Sequence, residues 1–528
     1  MAEVIGRRRF VERALGAAAA TVVGCDESVR HRGKAGATPR YYDDPRAGTS
    51  TTPVSADALP DGLDARDFSV YTRTPLTLEA RRENLGTAVV TPVAELFVRN
   101  NLPLPAMQIV DNAQAWRLRV RGVKQPQAFT PADLKQLPTE TVTTVLQCSG
   151  NGRRFFEHGP SGSQWGVGAA GCVQWTGVRC RDVIAAAGGA VPAANFLTAA
   201  GGDPIPELPP GMSPDLVRVE RSIPLAKGLD DAMLVWALND RPLPLTHGGP
   251  LRLIVPGYYG VNNVKYVNTL ACTAEQSTAR IQQTSYRLRP VGTKGAPSQP
   301  SMWRMAVKSW VSGPGGDGKP VLAGRARIYG VAFSGERGVK KVEVSTDGGQ
   351  QWTDVPFAGA DLGPNAWRTF SHEVTLSPGR YALCSRATDS RGDVQPRLRQ
   401  DNARGYGNNA WADHALEIEV FDTLPERLPP EAEAAAASQP AEPLSAQALR
   451  GRDVFMRHAT PQCGNCHALA DAQTGMAIGP NLDQTVVPRV RVRNAVENGV
   501  GIMPSYANRL TPAQLDDLTA YVVAARGR

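Results

Sequence analysis

The residue of this chain best placed to do chemistry is Cys148. The stretch Thr144-Val145-Leu146-Gln147-Cys148-Ser149-Gly150-Asn151-Gly152-Arg153-Arg154 carries one thiol to the point where an apolar, β-branched run gives way to a turn. A thiol at the end of a rigid strand, beside fixed positive charge, is easily deprotonated and binds a soft metal. The backbone N–H groups and guanidinium forks that follow would hold an anion. The plainer reading of the same residues is a small buried hydrophobe.

A second constellation lies far downstream. Cys463-Gly464-Asn465-Cys466-His467 has the C-x-x-C-H spacing of covalent c-type haem attachment. Two thiols one helical turn apart meet the two vinyl groups, and the adjacent His467 reaches the iron. A zinc half-site would need a second Cys/His pair, and no such pair follows. Asn498-Gly499-Val500-Gly501-Ile502-Met503-Pro504-Ser505-Tyr506 resembles the methionine loop of small cytochromes c, with Met503 as the sixth ligand and Met476 and His458 as competitors. A His/Met pair raises the potential.

The Cys148 stretch resembles the molybdenum-ligating segment of the sulfite oxidase family, in which a Leu-Gln-Cys-x-Gly-Asn run supplies the one protein ligand to the metal. In that pattern two arginines directly follow the Asn. Here Gly152 intervenes, so Arg153 and Arg154 both stand as candidates to face the substrate. Phe97-Val98-Arg99-Asn100-Asn101-Leu102-Pro103 resembles the family's Phe-x-Arg-Asn-His-x-Pro, which implies an anion contact at Arg99 and pterin contacts around it. Arg suits an oxyanion because it is planar, always charged and bidentate. Asn101 stands where the family often has His.

The densest match is Leu243-Pro244-Leu245-Thr246-His247-Gly248-Gly249-Pro250-Leu251-Arg252-Leu253-Ile254-Val255, ending in Asn263-Val264-Lys265-Tyr266. Arg252 is the one charge on an apolar strand, and a charge there needs a partner. A phosphate would serve, and the resemblance implies one: His247, Arg252, Asn263, Val264 and Lys265 would hold the pterin. Asp203, in a Gly-Gly-Asp-Pro turn, is an acidic pterin contact by resemblance and an Asx-turn residue by its own chemistry. Tyr286 falls at the spacing of the family's active-site tyrosine; the competing reading is an exposed loop Tyr.

The elements that must position these groups divide the chain of 528 residues into about three domains. Residues 65–290 read as an α+β molybdopterin-binding catalytic domain. Gln164-Trp165-Gly166 and Val173 to Ile184 form scaffold within it, and Ser222 to Lys227 and Leu234 to Asn239 read as strands. Residues 300–425 have an all-β rhythm, with a hairpin signal at Asp347-Gly348-Gly349, which indicates an immunoglobulin-like sandwich. Its Val-Glu-Val-Ser-x-Asp-Gly-Gly-x-x-Trp pattern resembles the family's dimerisation domain and implies a homodimer; no catalytic cluster stands out there. Residues 426–444 are a Pro/Glu/Ala linker, and residues 445–528 an all-α cytochrome c domain. A linker of about 20 residues reaches on the order of 25 Å and keeps the haem at roughly millimolar effective concentration. Thr511-Pro512-Ala513-Gln514 is a capping box that opens a closing helix with Leu515, Leu518 and Val522 on one face.

Residues 1–25 read as an address. Gly6-Arg7-Arg8-Arg9-Phe10-Val11 is close to the twin-arginine export pattern, and the apolar run from Ala14 to Val23 is too short to span a bilayer. Val22-Val23-Gly24-Cys25 resembles a lipoprotein processing box, which would put an acyl anchor on Cys25; the alternative is an ordinary cleaved signal. Residues 26–64 read as an extended arm. The net charge of +8 suits an anionic substrate or an acidic partner, and no dense Lys/Arg stripe marks a nucleic-acid binder. Eight cysteines in so long a chain do not make a disulfide framework; Cys172, Cys180, Cys272 and Cys384 read as core residues.

Together the resemblance implies periplasmic oxidation of sulfite to sulfate at a molybdenum–pterin centre. Arg99 and Arg153 would hold the anion, with Tyr286 and Arg154 assisting, and electrons would pass through the haem to an external cytochrome c or oxidase. The Cys-Ser-Gly-Asn-Gly-Arg and Gly-Tyr-Tyr-Gly variants look similar to sulfane dehydrogenases, which act on carrier-bound sulfur. A non-enzyme alternative is an electron carrier in which only the haem works.

Overall fold

The computed structural model describes residues 59–205, 208, 212–424, 443–475, 479, 482–483, 489–499 and 503–526. The export signal, Cys25, most of the arm, the body of the linker and Met476 lie outside these residues. Among the described residues no helix is long and apolar enough to cross a membrane.

Two five-stranded sheets build the catalytic domain. In one, Thr139–Gln147 pairs antiparallel with Ala170–Arg179, which pairs with Met233–Leu238; Arg252–Ile254 lies against this last strand. In the other, Val267–Thr273 is central, parallel to Leu118–Arg121 and antiparallel to Phe196–Gly201. Their apolar faces meet in a core that includes Val178, Leu197, Leu234, Leu253 and Leu270. A smaller three-stranded sheet carries Arg99 on its edge strand Val98–Arg99.

Two local expectations need correction. The segment after Ser222 is not one strand: Glu220–Pro224 is extended, and Leu225–Asp230 is a short helix that begins just after the proline. The extended arm also stops short of residue 64. Leu59 and Leu63 are buried against Phe68, and the Asp61 carboxylate accepts from Thr246 N at 2.7 Å and Oγ1 at 2.5 Å. Apolar side chains spaced four apart suffice to fold this piece onto the pterin-side loop.

The second domain is a sandwich of a four-stranded and a five-stranded sheet. Val311, Ile328, Val344, Phe370 and Leu383 fill the space between them. The hairpin from Val339–Ser345 to Thr353–Val355 is pinned by Asp347, whose carboxylate accepts from Gln350 N and Gln351 N. The four cysteines expected in cores are all buried there.

The third unit packs helices 446–453, 489–498 and 512–524 around Phe455, Leu469, Leu515 and Tyr521. Thr511 and Gln514 close a reciprocal capping box with Pro512 in the first turn. Gly451 admits close helix contact: a Cβ there would stand 1.9 Å from Asp517 O.

Candidate functional site: a cofactor recess beside Cys148 and a haem crevice

Cys148 continues the pairing of its strand by one step, its N–H donating to Ala169 O at 2.9 Å. The chain then turns, with Asn151 N donating to Cys148 O at 3.0 Å. Asn151 locks the turn by donating to Gln147 Oε1 and accepting from Ala169 N. Gly152 takes φ 91°, a left-handed conformation that a Cβ would strain. The expected insertion after the Asn is therefore the residue that lets the chain reverse.

A solvent-open recess lies against the half-buried Cys148. Arg99, Asn100, Asn101, Phe97, Tyr286 and Ser149 line it. His247, Arg252, Asn263, Val264, Lys265 and Asp203 line it as well. Val98 is the exception among the expected cofactor contacts: it is fully buried in the core beneath the small sheet.

The part of the lining that runs from His247 to Lys265 is built to meet an anion. Lys265 Nζ donates to Asn100 Oδ1 at 2.8 Å and to Thr246 O. Burial and the nearby Arg252 push the Lys265 amine well below its ordinary range, against the pull of Asp203. Arg252 Nη1 donates to His247 O at 2.7 Å, and its guanidinium lies 5.1 Å from the Trp175 ring centroid. Burial lowers the Arg252 pKa to about 10, and it drives His247 well below the usual imidazole value. Arg252 Nε, His247 Nε2, Asp203 Oδ2 and Ser149 Oγ are enclosed with no hydrogen-bond partner. Buried polar atoms are normally satisfied. Several orphans around one recess fit a polar, phosphate-bearing ligand such as the pterin. Burial raises the Asp203 pKa to about 6, against the pull of Lys265.

The two arginines after the turn go different ways. Arg153 is buried behind the turn, Nε donating to Arg404 O and Nη1 to Ser163 O, both at 2.8 Å. A Cβ on Gly150 would touch its Nη2 at 2.4 Å, so the guanidinium lies flat under the residue two after Cys148. Burial lowers its pKa, with Tyr406 and Cys148 opposing. Arg154 is turned away from the recess, into the interior, where it offsets the charge of the buried Glu79; that carboxylate is bonded to Tyr71 Oη and Gly168 N. The structure thus brings Cys148, Arg99 and Tyr286 to one recess, sets Arg153 just behind it, and leaves Arg154 elsewhere.

One expectation about the sandwich is corrected. Its loop 402–408 reaches back onto the cysteine turn: Gly407 N donates to Ser149 O at 2.8 Å and Asn408 Nδ2 to Gly152 O at 3.1 Å. Tyr406 stacks on Tyr286 (centroids 5.2 Å, 12° between planes) and lies 5.2 Å from the Arg153 guanidinium. Tyr286 sits at φ 49°, and burial with Tyr406 beside it pushes its phenol up to about 12. From the first strand of the same domain, the buried Lys308 donates to Asn151 O at 3.2 Å. The Gly405-Tyr406-Gly407 run was the available signal, but only the fold shows what it touches.

In the third unit, Cys463 is buried and Cys466 half-buried. His467 N donates to Cys463 O at 3.0 Å, and the His467 ring lies over Gly479, where a Cβ would come within 2.5 Å of it. Met503 packs on the core that includes Cys463. Tyr506 joins the two loops, its Oη donating to Pro461 O at 2.6 Å and its N to Val496 O at 2.9 Å. Two thiols, an imidazole and a thioether around one core are the donor set for a covalent haem with His/Met ligation.

A thiol at a strand end, a recess rich in cationic and unpaired polar groups, and a Cys-x-x-Cys-His crevice stand together in this chain. The oxidoreductase molybdopterin binding domain family matches residues 102–281, the Mo-co oxidoreductase dimerisation domain family residues 299–420, and the cytochrome c oxidase, cbb3-type, subunit III family residues 446–522. The chain is 30% identical to sulfite oxidase of Gallus gallus over 68% of its own length and 82% of that protein's. It is 31% identical to mitochondrial sulfite oxidase of Homo sapiens over 67% of its length and 66% of that protein's. It is also similar to the solved sulfane dehydrogenase SoxCD of Paracoccus pantotrophus: TM-score 0.57, 28% identity, covering 73% of this chain and 100% of that one.

The chain belongs to the sulfite oxidase family. It spans about two thirds (65%) of the length of its rodent relatives. Molybdenum–molybdopterin and haem c are the cofactors its domains carry, and the dimerisation domain supports a homodimer.

Proposed function

We infer that the protein oxidises sulfite to sulfate at Cys148-ligated molybdenum and passes the electrons through its haem c to an external cytochrome c or oxidase. When bound, the molybdenum–pterin group supplies two-electron oxygen-atom chemistry and the haem supplies single-electron relay. The chain's own residues bind and orient. Arg99, at the recess wall, offers a planar fork to the oxyanion. Arg153 adds fixed positive charge behind the turn. Tyr286, held by Tyr406, keeps its phenolic proton at neutral pH and presents it as a donor. Arg252 and Lys265 meet the pterin phosphate with donors and charge, and the neutral His247 ring offers it a hydrogen bond.

The observation that carries this reading is the convergence of Cys148, Arg99 and Tyr286 on one recess that Arg252 and Lys265 also line. The test is sulfite-dependent reduction of the haem bands in purified enzyme holding about one molybdenum per iron. Iron alone, with no response to sulfite, would favour a simple electron carrier. A second reading, oxidation of carrier-bound sulfane sulfur, is supported by the similarity to the Paracoccus enzyme. Reduction by a persulfide carrier but not by sulfite would select it. The twin-arginine pattern supports a periplasmic location; Arg7→Lys with Arg8→Lys should retain the protein in the cytoplasm.

A further inference from the structure

The linker reading treats the haem as a body on a tether, free to approach and leave. The structure holds a seam instead. Helix 489–498 buries Val492 and Val496 in its own domain and presents a different stripe to the catalytic domain. From that stripe Asn494 Nδ2 donates to His158 O at 3.1 Å and Gly159 O at 3.0 Å, and Arg491 Nη2 donates to Gly162 O at 2.7 Å. Val490 lies over Gly159, its Cγ1 3.3 Å from where a Cβ would stand.

The receiving loop is itself held. Gln164 Nε2 donates to Pro160 O and Gly162 O, and Arg153 Nη1 to the neighbouring Ser163 O. A second contact runs through the sandwich loop. Arg404 accepts from Arg153 Nε at its carbonyl and donates from Nη1 to Gly499 O at 3.5 Å. Gly499 opens the loop that carries Met503; a Cβ on it would strike Met503 O at 2.5 Å. Polar seams between domains generally permit motion. Here two haem-domain side chains, Asn494 and Arg491, donate to three carbonyls of one internally braced loop, and Arg404 donates back to Gly499 O, so the docked pose is specified rather than merely allowed.

We propose that the haem domain is docked in a fixed pose on the catalytic domain, through Asn494 and Arg491 on the 158–162 loop and Arg404 on Gly499. Electrons then cross a standing interface and need no domain swing. The electron-transfer part rests on the two-centre function inferred above; the docking does not.

The test uses holoenzyme with a protease site placed in the 425–442 linker. After cleavage, the haem fragment should co-elute with the catalytic fragment at micromolar concentration. In the uncut enzyme, flash reduction of the haem should be followed by electron transfer to the second centre at a rate unchanged by added viscosity. Asn494→Asp sets a carboxylate against two carbonyl oxygens; it should lower the docked fraction about tenfold and make the rate fall with viscosity. Arg491→Gln provides a milder version if the first variant folds poorly. Release of the haem fragment from the unsubstituted protein, or a wild-type rate that falls in proportion to viscosity, would overturn the proposal. Co-elution with no electron reaching a second centre supports the docking and faults the two-centre function.

Discussion

The pterin recess and the haem crevice are built on opposite electrostatic plans. The recess gathers Arg99, Arg252 and Lys265 with the carboxyl of Asp203, and several of its buried polar atoms, the neutral His247 ring among them, have no protein partner. The crevice offers thiols, an imidazole and a thioether, and charges on that domain form exposed pairs such as Arg450 with Asp517 and Arg493 with Asp516. A phosphate-bearing ligand anchored by a single metal–sulfur bond must also be met by counter-charge whose desolvation the apoprotein already bears. A ligand held by two thioether bonds needs no such field. The recess is therefore a strained site that its cofactor relaxes, and loading should stabilise it by mass action.

The sharpest way to break this contrast is to remove each anchor in turn. Cys148→Ser should abolish sulfite-dependent haem reduction while haem absorbance per protein stays constant. Cys463→Ser with Cys466→Ser should remove covalent haem and leave molybdenum content intact. If either change also empties the other site, the two plans are not independent.

Next comes the cradle. Arg252→Met removes a charged donor aimed at the cofactor and should weaken pterin retention roughly ten- to a hundredfold, read as molybdenum per protein after dialysis. The same change should raise the thermal stability of cofactor-free protein, because a buried, incompletely paired guanidinium has been removed. A lowered melting point in the cofactor-free state would contradict the strained-site account.

Tyr406→Ala should have a smaller effect. It removes a stacking partner of Tyr286 and an aromatic face beside Arg153, interactions that together are worth about 1 to 2 kcal/mol, so turnover should fall about tenfold with cofactor content unchanged. Tyr406→Phe keeps both faces and should retain most activity.

The smallest effect is a pH dependence. Burial lowers the Lys308 amine from 10.5 to about 7, against the pull of Asp413 and Cys148. Between those values the unfolded chain binds a proton that the fold does not. Stability should therefore rise with pH across that window, by about 1 kcal/mol per pH unit. The cost is complete below about 7 and absent above 10.5. Lys308→Met should remove this slope, which a melting series of both proteins from pH 7 to 9 would measure.

What could be read without coordinates was local. The β-branched run before Cys148, the Ser-Gly-Asn-Gly turn after it, the C-x-x-C-H spacing and the Thr511 capping box each depend on neighbours a few residues apart. Short-range sterics and hydrogen bonding decide such features. Arg252 was legible for a related reason, because a lone Arg in an apolar strand announces its need for a partner, whereas His247, Asn263, Val264 and Lys265 were named only through the family resemblance.

Other decisions belonged to the tertiary structure alone. Arg153 and Arg154 are neighbours with the same chemistry, and only the position of Glu79, some 75 residues earlier in the chain, draws Arg154 inward and leaves Arg153 beneath the turn. Tyr406, Arg404 and Lys308 belong to the sandwich, and no periodicity or motif ties them to a cysteine more than 150 residues away. They lie against the cysteine turn because a loop and a strand of one domain close over another domain's turn. That contact is set by how two buried surfaces fit, and shape at that range is not written in any local pattern of residues.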